Sequence, residues 1–214
     1  MNFQVFVSQL QKALKQELPG KEVQYQMASN RRLLDILPDK NTKNSSVLIL
    51  LYEKKQSLYS VLIKRPDSND PHGGQISLPG GRYEKTDNSL VDTALRETRE
   101  EIGINEKDIE VIGSLTTLFI PVSNYNVFPV VGYTDTTPKF SISKDEVDYL
   151  IEFKFSRLFE DDVLKFKDTT FRNIPVTIRY FDINNQIVWG ATSMILNELK
   201  RIINNYPSLK SLLT

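Results

Sequence analysis

Glu97, Glu100 and Glu101 stand close together in the run Asp-Thr-Ala-Leu-Arg-Glu-Thr-Arg-Glu-Glu-Ile-Gly-Ile, which extends from Asp92 to Ile104 and reads as a helix. At about 100° per residue the carboxylates share an arc of roughly 100°, whereas Val91, Ala94, Leu95, Thr98 and Ile102 form a stripe centred roughly 110° away. One face packs and the other is acidic. Like charges three and four residues apart repel by about a few tenths of a kcal/mol per pair, so the cluster needs a compensating partner. A divalent cation would supply it. Oxygen ligands without cysteine favour Mg²⁺ or Mn²⁺ over zinc, and Mg²⁺ commonly joins carboxylates to substrate phosphates. The plainer reading is a solvated acidic face, the usual fate of a Glu-rich helix. The neighbouring residues favour a site. Leu78-Pro79-Gly80-Gly81 is a turn whose paired glycines reach backbone angles closed to other residues and leave amides and carbonyls open to an ion or phosphate. Gly103 ends the helix.

Together these residues resemble the Nudix box, Gly-x5-Glu-x7-Arg-Glu-U-x-Glu-Glu-x-Gly-U with U aliphatic. Gly81 takes the first glycine, Arg96-Glu97 the Arg-Glu pair, Glu100-Glu101 the double glutamate and Gly103-Ile104 the ending. Asp87 stands where the first glutamate is expected, one residue further from Arg96 than usual, and Thr98 replaces the aliphatic residue. Those departures resemble the coenzyme A diphosphatase branch. The upstream segment is similar to the same branch at Arg65, Gly74, Leu78, Pro79, Gly80 and Gly81, and departs from it at Pro66 and Asp70. Asp70 puts an acid where that signature has an arginine, which favours the alternative substrate class of another nucleoside diphosphate derivative such as ADP-ribose. Further similar stretches carry the resemblance from about residue 46 to about residue 200.

The resemblance implies a metal-dependent hydrolase that cleaves coenzyme A or an acyl derivative into phosphopantetheine and adenosine 3′,5′-bisphosphate. It implies Glu97, Glu100 and Glu101 as metal ligands with the Gly81 carbonyl, Arg96 as the cation that holds a carboxylate in place, and Arg65 and Gly80 beside the substrate. Glu97 and Glu146 are the alternative general bases. Glu146, in Ser-Lys-Asp-Glu-Val, also reads as an ordinary acid at a helix start. His72, the only histidine, is a candidate base or a substrate-contacting loop residue at the site mouth. Tyr125 and Phe128 are aromatic groups that either stack on a base or belong to the core. A catalytically silent nucleotide-binding regulator is the rival class; loss of a box glutamate would mark it, and all three are present.

The elements that must position these groups follow from periodicity. Phe3, Val7, Leu10 and Leu14 predict an amphipathic helix ending before Pro19-Gly20; its plainer role is core packing and its sharper one a homodimer contact. A polar connection spans residues 38–45. Strands are predicted at 47–52, 59–64, 113–121 and 126–134, with a late hairpin of 174–181 and 186–189 around Asn184-Asn185, and a closing helix over 192–204. A mixed β-sheet with helices on both sides follows, the α/β/α sandwich that the resemblance also implies. Residues 1–45 are read as a helical extension packed on the core, and 46–214 as the hydrolase domain.

Among the 214 residues, 27 Lys plus Arg balance 27 Asp plus Glu, so no mean field draws in polymeric nucleic acid or a membrane surface. A small phosphorylated metabolite needs only a local cation. The absence of cysteine excludes disulfides and thiolate metal sites. No apolar run is long enough to span a bilayer and the first residues lack signal-peptide regions, so a cytoplasmic location is expected.

Overall fold

In the computed structural model, which describes residues 2–29, 36–68, 73–171 and 174–213, the chain begins with α1 (Phe3–Leu14) and the short α2 (Gly20–Gln24). It enters the main sheet through β1 (Lys43–Lys54) and β2 (Ser57–Lys64), and two short strands, β3 (Ile76–Ser77) and β4 (Gly80–Arg82), lead into α3 (Leu90–Ile102). The same sheet takes in β5 (Glu110–Ser114), β6 (Leu118–Ile120), β7 (Tyr125–Thr134) and β8 (Tyr149–Lys154). A small antiparallel sheet of β9 (Leu164–Phe171), β10 (Ile174–Ile183) and β11 (Gln186–Val188) precedes α4 (Gly190–Asn204) and α5 (Pro207–Lys210).

β1 shows why the sheet has a helix layer on each side. Successive side chains of a strand point to opposite faces. Leu48, Leu50 and Tyr52 enter a core with Ala94 and Ile102 of α3. Ile49 and Leu51, pointing the other way, join Phe6 and Leu10 of α1 and Ile195 and Leu199 of α4. β1 runs parallel to β7 and antiparallel to β2 and β4, which makes the sheet mixed. The α/β/α sandwich expected from the sequence is therefore present.

α1 is capped by Asn2, whose side chain accepts from Val5 N at 3.2 Å, and its apolar face is buried on the core at Phe3, Phe6, Val7, Leu10, Ala13 and Leu14. α2 is tied to α4 by the buried Glu198, which accepts from Gly20 N at 3.1 Å and Gln24 Nε2 at 2.7 Å; its carboxylate also accepts from Thr116 Oγ1 at 2.6 Å. No helix among the described residues is long and apolar enough to cross a membrane.

Several boundaries differ from the sequence reading. β1 starts at Lys43, inside the polar connection, because its first residues pair with β7 from Lys43↔Tyr125 onward. The single strand expected over 113–121 is two strands separated by residues 115–117. β8 and β9 were not expected. β9 reads Leu-Lys-Phe-Lys-Asp-Thr-Thr-Phe and stays largely exposed; its apolar alternation stops after Leu164 and Phe166, too short a run to mark a strand of this length. Asn184 and Asn185, at φ 53° and 62°, form the expected left-handed hairpin turn, and Lys55 and Gln56, at φ 50° and 59°, make a similar one between β1 and β2.

Candidate active site

β1 and β2 pair over Leu51–Lys54 and Ser57–Ser60; farther along, β4 lies on β1 at Ser45–Val47 and β3 lies on β2 at Ile63–Lys64. The turn at Pro79 therefore crosses the sheet between the diverging strands. Gly80 takes φ 147°, and a Cβ there would stand 2.3 Å from the Ser46 carbonyl oxygen, so the close crossing requires glycine. α3 lies above it. Ser89 caps the helix by accepting from Asp92 N at 3.2 Å, and Gly103 ends it at φ 74°.

The acidic arc of α3 is not a uniform exposed face. Glu101 is only 1% exposed and accepts from Gly80 N at 2.8 Å, so that amide is directed at a carboxylate and not left open. Thr98 is tolerated on the packed side because its Oγ1 donates to Ala94 O at 2.7 Å, which satisfies the buried hydroxyl within the helix. Glu146 stands in a turn after Ser143, donating its own amide to Ser143 O at 3.1 Å, and not at a helix start. Carboxylate oxygens of Glu97, Glu101 and Glu146 all lie within 4.8 Å of one another. This is a different trio from the one read along the helix. Glu100 lies outside it and accepts from Arg96 Nη1 and Arg99 Nη2, each at 2.9 Å, while still lining the cavity.

Arg96 organises the neighbouring charges. Its Nε and Nη2 donate to Asp87 at 2.8 and 3.1 Å, its Nη1 donates to Glu97 at 2.9 Å, and Nη2 also reaches the Arg82 carbonyl at 3.0 Å. Arg65 places Nη1 3.5 Å from both the Gly80 carbonyl and Glu101. Burial raises the Glu101 carboxyl to about 8, with Arg65 and the Gly80 amide opposing the shift. Burial also raises Glu97, against the attraction of Arg96.

Arg65, Arg96, Glu97, Glu100 and Glu146 line a cavity of about 840 Å³, together with the apolar residues Val47, Ile120, Val127 and Ile195 and the ring of Tyr125. Lys43 Nζ lies 5.8 Å from the Tyr125 ring centre. Phe128 instead packs against the core on the α3 side. His72, together with Asp70, lies outside the described residues.

The NUDIX domain profile matches residues 42–164, which covers α3, the diglycine crossing and Glu146. The chain belongs to the Nudix family. It is 34% identical over 153 residues to the Nudix hydrolase NudL of Pectobacterium atrosepticum, covering 69% of this chain and 76% of that one. With NudL of an Enterobacter species the identity is 30% over 183 residues, covering 86% and 93%. The fold is similar to a MutT/nudix family protein from Enterococcus faecalis, with TM-score 0.51, 19% identity and coverage of 92% and 81%. It is also similar to the Nudix hydrolase RenU of M. smegmatis, with TM-score 0.55, 13% identity and coverage of 78% and 88%.

As a Nudix hydrolase, the protein acts on diphosphate bonds. Nudix hydrolases generally use divalent metal ions, and the residues here fit one on two counts. Carboxylate oxygens from separate segments converge, and Glu101 is buried with Arg65 as its nearby cation.

Asp87, read in the sequence as the stand-in for a box glutamate, occupies a structural position that spacing alone did not reveal. It accepts from Arg96, from Glu84 N at 2.9 Å and from Thr93 Oγ1 at 2.8 Å. The Arg96 guanidinium holds its carboxyl well below the usual carboxylate range. A depressed folded-state pKa contributes stability above the unfolded value of about 3.9, which is lost as pH falls through the folded value. Asp87→Asn is expected to cost about 2 kcal/mol at pH 7, the scale of lost charged hydrogen bonds. Urea denaturation at pH 7 and pH 3 checks this: the gap between wild type and variant should narrow at the lower pH, and a constant gap would contradict the ionic role.

Proposed function

We propose that the protein hydrolyses the diphosphate of coenzyme A or an acyl derivative, using Mg²⁺ or Mn²⁺. The observation that carries the catalytic part is the convergence of Glu97, Glu101 and Glu146 within 4.8 Å of one another, with Glu97 and Glu146 lining one large cavity. Glu97 and Glu101 would hold the ion, with Glu100 and the Gly81 carbonyl as further oxygen donors. When bound, such an ion supplies charge stabilisation to the phosphoryl oxygens and lowers the pKa of water.

The chain's own residues supply position and proton transfer. Arg96 fixes Glu97 and Glu100, and Arg65 faces the buried Glu101 beside the Gly80 carbonyl. Glu146 is the exposed member of the trio, so its carboxylate oxygen is the proposed acceptor of the proton from the attacking water. A new P–O bond forms at one phosphorus, the bridging P–O bond breaks, and the leaving phosphate departs with the bridging oxygen.

The assignment to coenzyme A rests on the signature residues Arg65, Gly74, Leu78, Pro79, Gly80 and Gly81, supported by the apolar residues in the cavity lining, which suit a pantetheine chain. Asp70 supports ADP-ribose as the second reading. The proposed catalytic domain covers 46–214, with 1–45 as a packed extension. Steady-state kinetics with Mg²⁺ and with Mn²⁺ tests the substrate: kcat/KM for coenzyme A should exceed that for ADP-ribose, and the reverse order would replace the first reading by the second.

A further inference from the structure

Among the described residues three arginines line the cavity, and two of them are engaged by the protein. Arg96 bonds to Asp87, Glu97 and Glu100, and Arg65 leans on Glu101 and Gly80. The guanidinium of Arg82 makes no hydrogen bond or ion pair among the described residues, although its backbone is held firmly. Its carbonyl accepts from Arg96 and its strand position pairs with Ser45.

Alternation along β4 separates Arg82 from the carboxylates. A Cβ on Gly81 would point straight at Glu97, with 2.4 Å to Oε2, so the Arg82 side chain belongs to the opposite face of the strand. On that face Arg82 is registered with Ser45 of β1, and Ser45 with Val127 of β7. Two residues earlier, Lys43 is registered with Tyr125 and sits over its ring; it has no carboxylate partner among the described residues. Two cations and an aromatic ring on neighbouring strands therefore lie across β4 from the acidic trio.

Resting on the diphosphatase reading, we infer that Arg82, with Lys43 beside it, binds a phosphate of the substrate that lies outside the scissile diphosphate. The substrate class is then a nucleoside diphosphate derivative that carries an additional phosphomonoester next to a group lying against Tyr125. Charged hydrogen bonds to a phosphate are strong, but partial solvation of both side chains moderates them.

Calorimetry with adenosine 3′,5′-bisphosphate and with AMP reads this without turnover. The wild type should bind the bisphosphate about tenfold tighter than AMP. Arg82→Gln should reduce that ratio to within about twofold, Lys43→Gln should reduce it less, and Arg82→Lys should retain part of it. Kinetics with coenzyme A and its 3′-dephospho form should show the same collapse in kcat/KM ratio. A wild-type binding ratio near one, or a ratio unchanged by Arg82→Gln, overturns the inference. If the ratio depends on Arg82 but no diphosphate is cleaved, the subsite stands and the hydrolytic reading falls.

Discussion

Glu101→Gln is expected to lower diphosphatase turnover by at least about 100-fold while leaving the fold intact. Glutamine keeps the shape of the side chain, and its amide oxygen still accepts from Gly80 N. What is lost is the charge that would face a cation between Glu97 and Glu146, and with it the partner of Arg65. Stability should move the other way. Burial raises the Glu101 carboxyl to about 8, so its protonated form contributes stability below the ordinary carboxyl value, and this is lost as pH rises through about 8. In chelator at pH 8.5 the variant should therefore melt no lower than the wild type. Near-normal turnover at saturating Mg²⁺ would remove Glu101 from the metal-holding set.

Gly81→Ala is expected to be nearly as damaging to activity, for a steric reason. The new methyl group would stand 2.4 Å from Glu97 Oε2 and 2.5 Å from its Cδ. Nothing in the backbone need give way, because the carboxylate is the end of a flexible side chain. It would swing out of the cluster and strain its bond to Arg96. A misplacement of about 1 Å in a catalytic group costs on the order of 100-fold, whereas the melting temperature should change little. Turnover within a few-fold of wild type would show that the position of Glu97 against Gly81 is not critical to the reaction.

Much of the site lay open in the sequence because it is local. The spacing of Arg96, Glu97, Glu100 and Glu101 on one helix, the diglycine turn and the closing Gly103 are short-range features, and α3 ends at the expected residue. Their relation to the sheet was less legible. Helical periodicity put Glu101 on the acidic face, but the diglycine crossing offers the Gly80 amide from below and draws that carboxylate into the interior. Glu146 meets Glu97 only because β8 returns antiparallel to β2 and brings the preceding turn over the sheet end. Arg82 carried no signal in the sequence: its importance depends on which face of β4 it occupies and on the other cavity arginines already having partners.

The most direct measurement follows the fate of the bridging bond. Purified protein is incubated in ¹⁸O-labelled water with coenzyme A and ADP-ribose, with Mg²⁺ or Mn²⁺ and separately with chelator, and the products are identified by mass. Cation-dependent cleavage between the two phosphorus atoms is predicted, with one ¹⁸O in one phosphomonoester product and no turnover in chelator. Failure to cleave either diphosphate with either cation, or turnover undiminished by chelator, would contradict metal-dependent hydrolysis at the Glu97, Glu101 and Glu146 cluster.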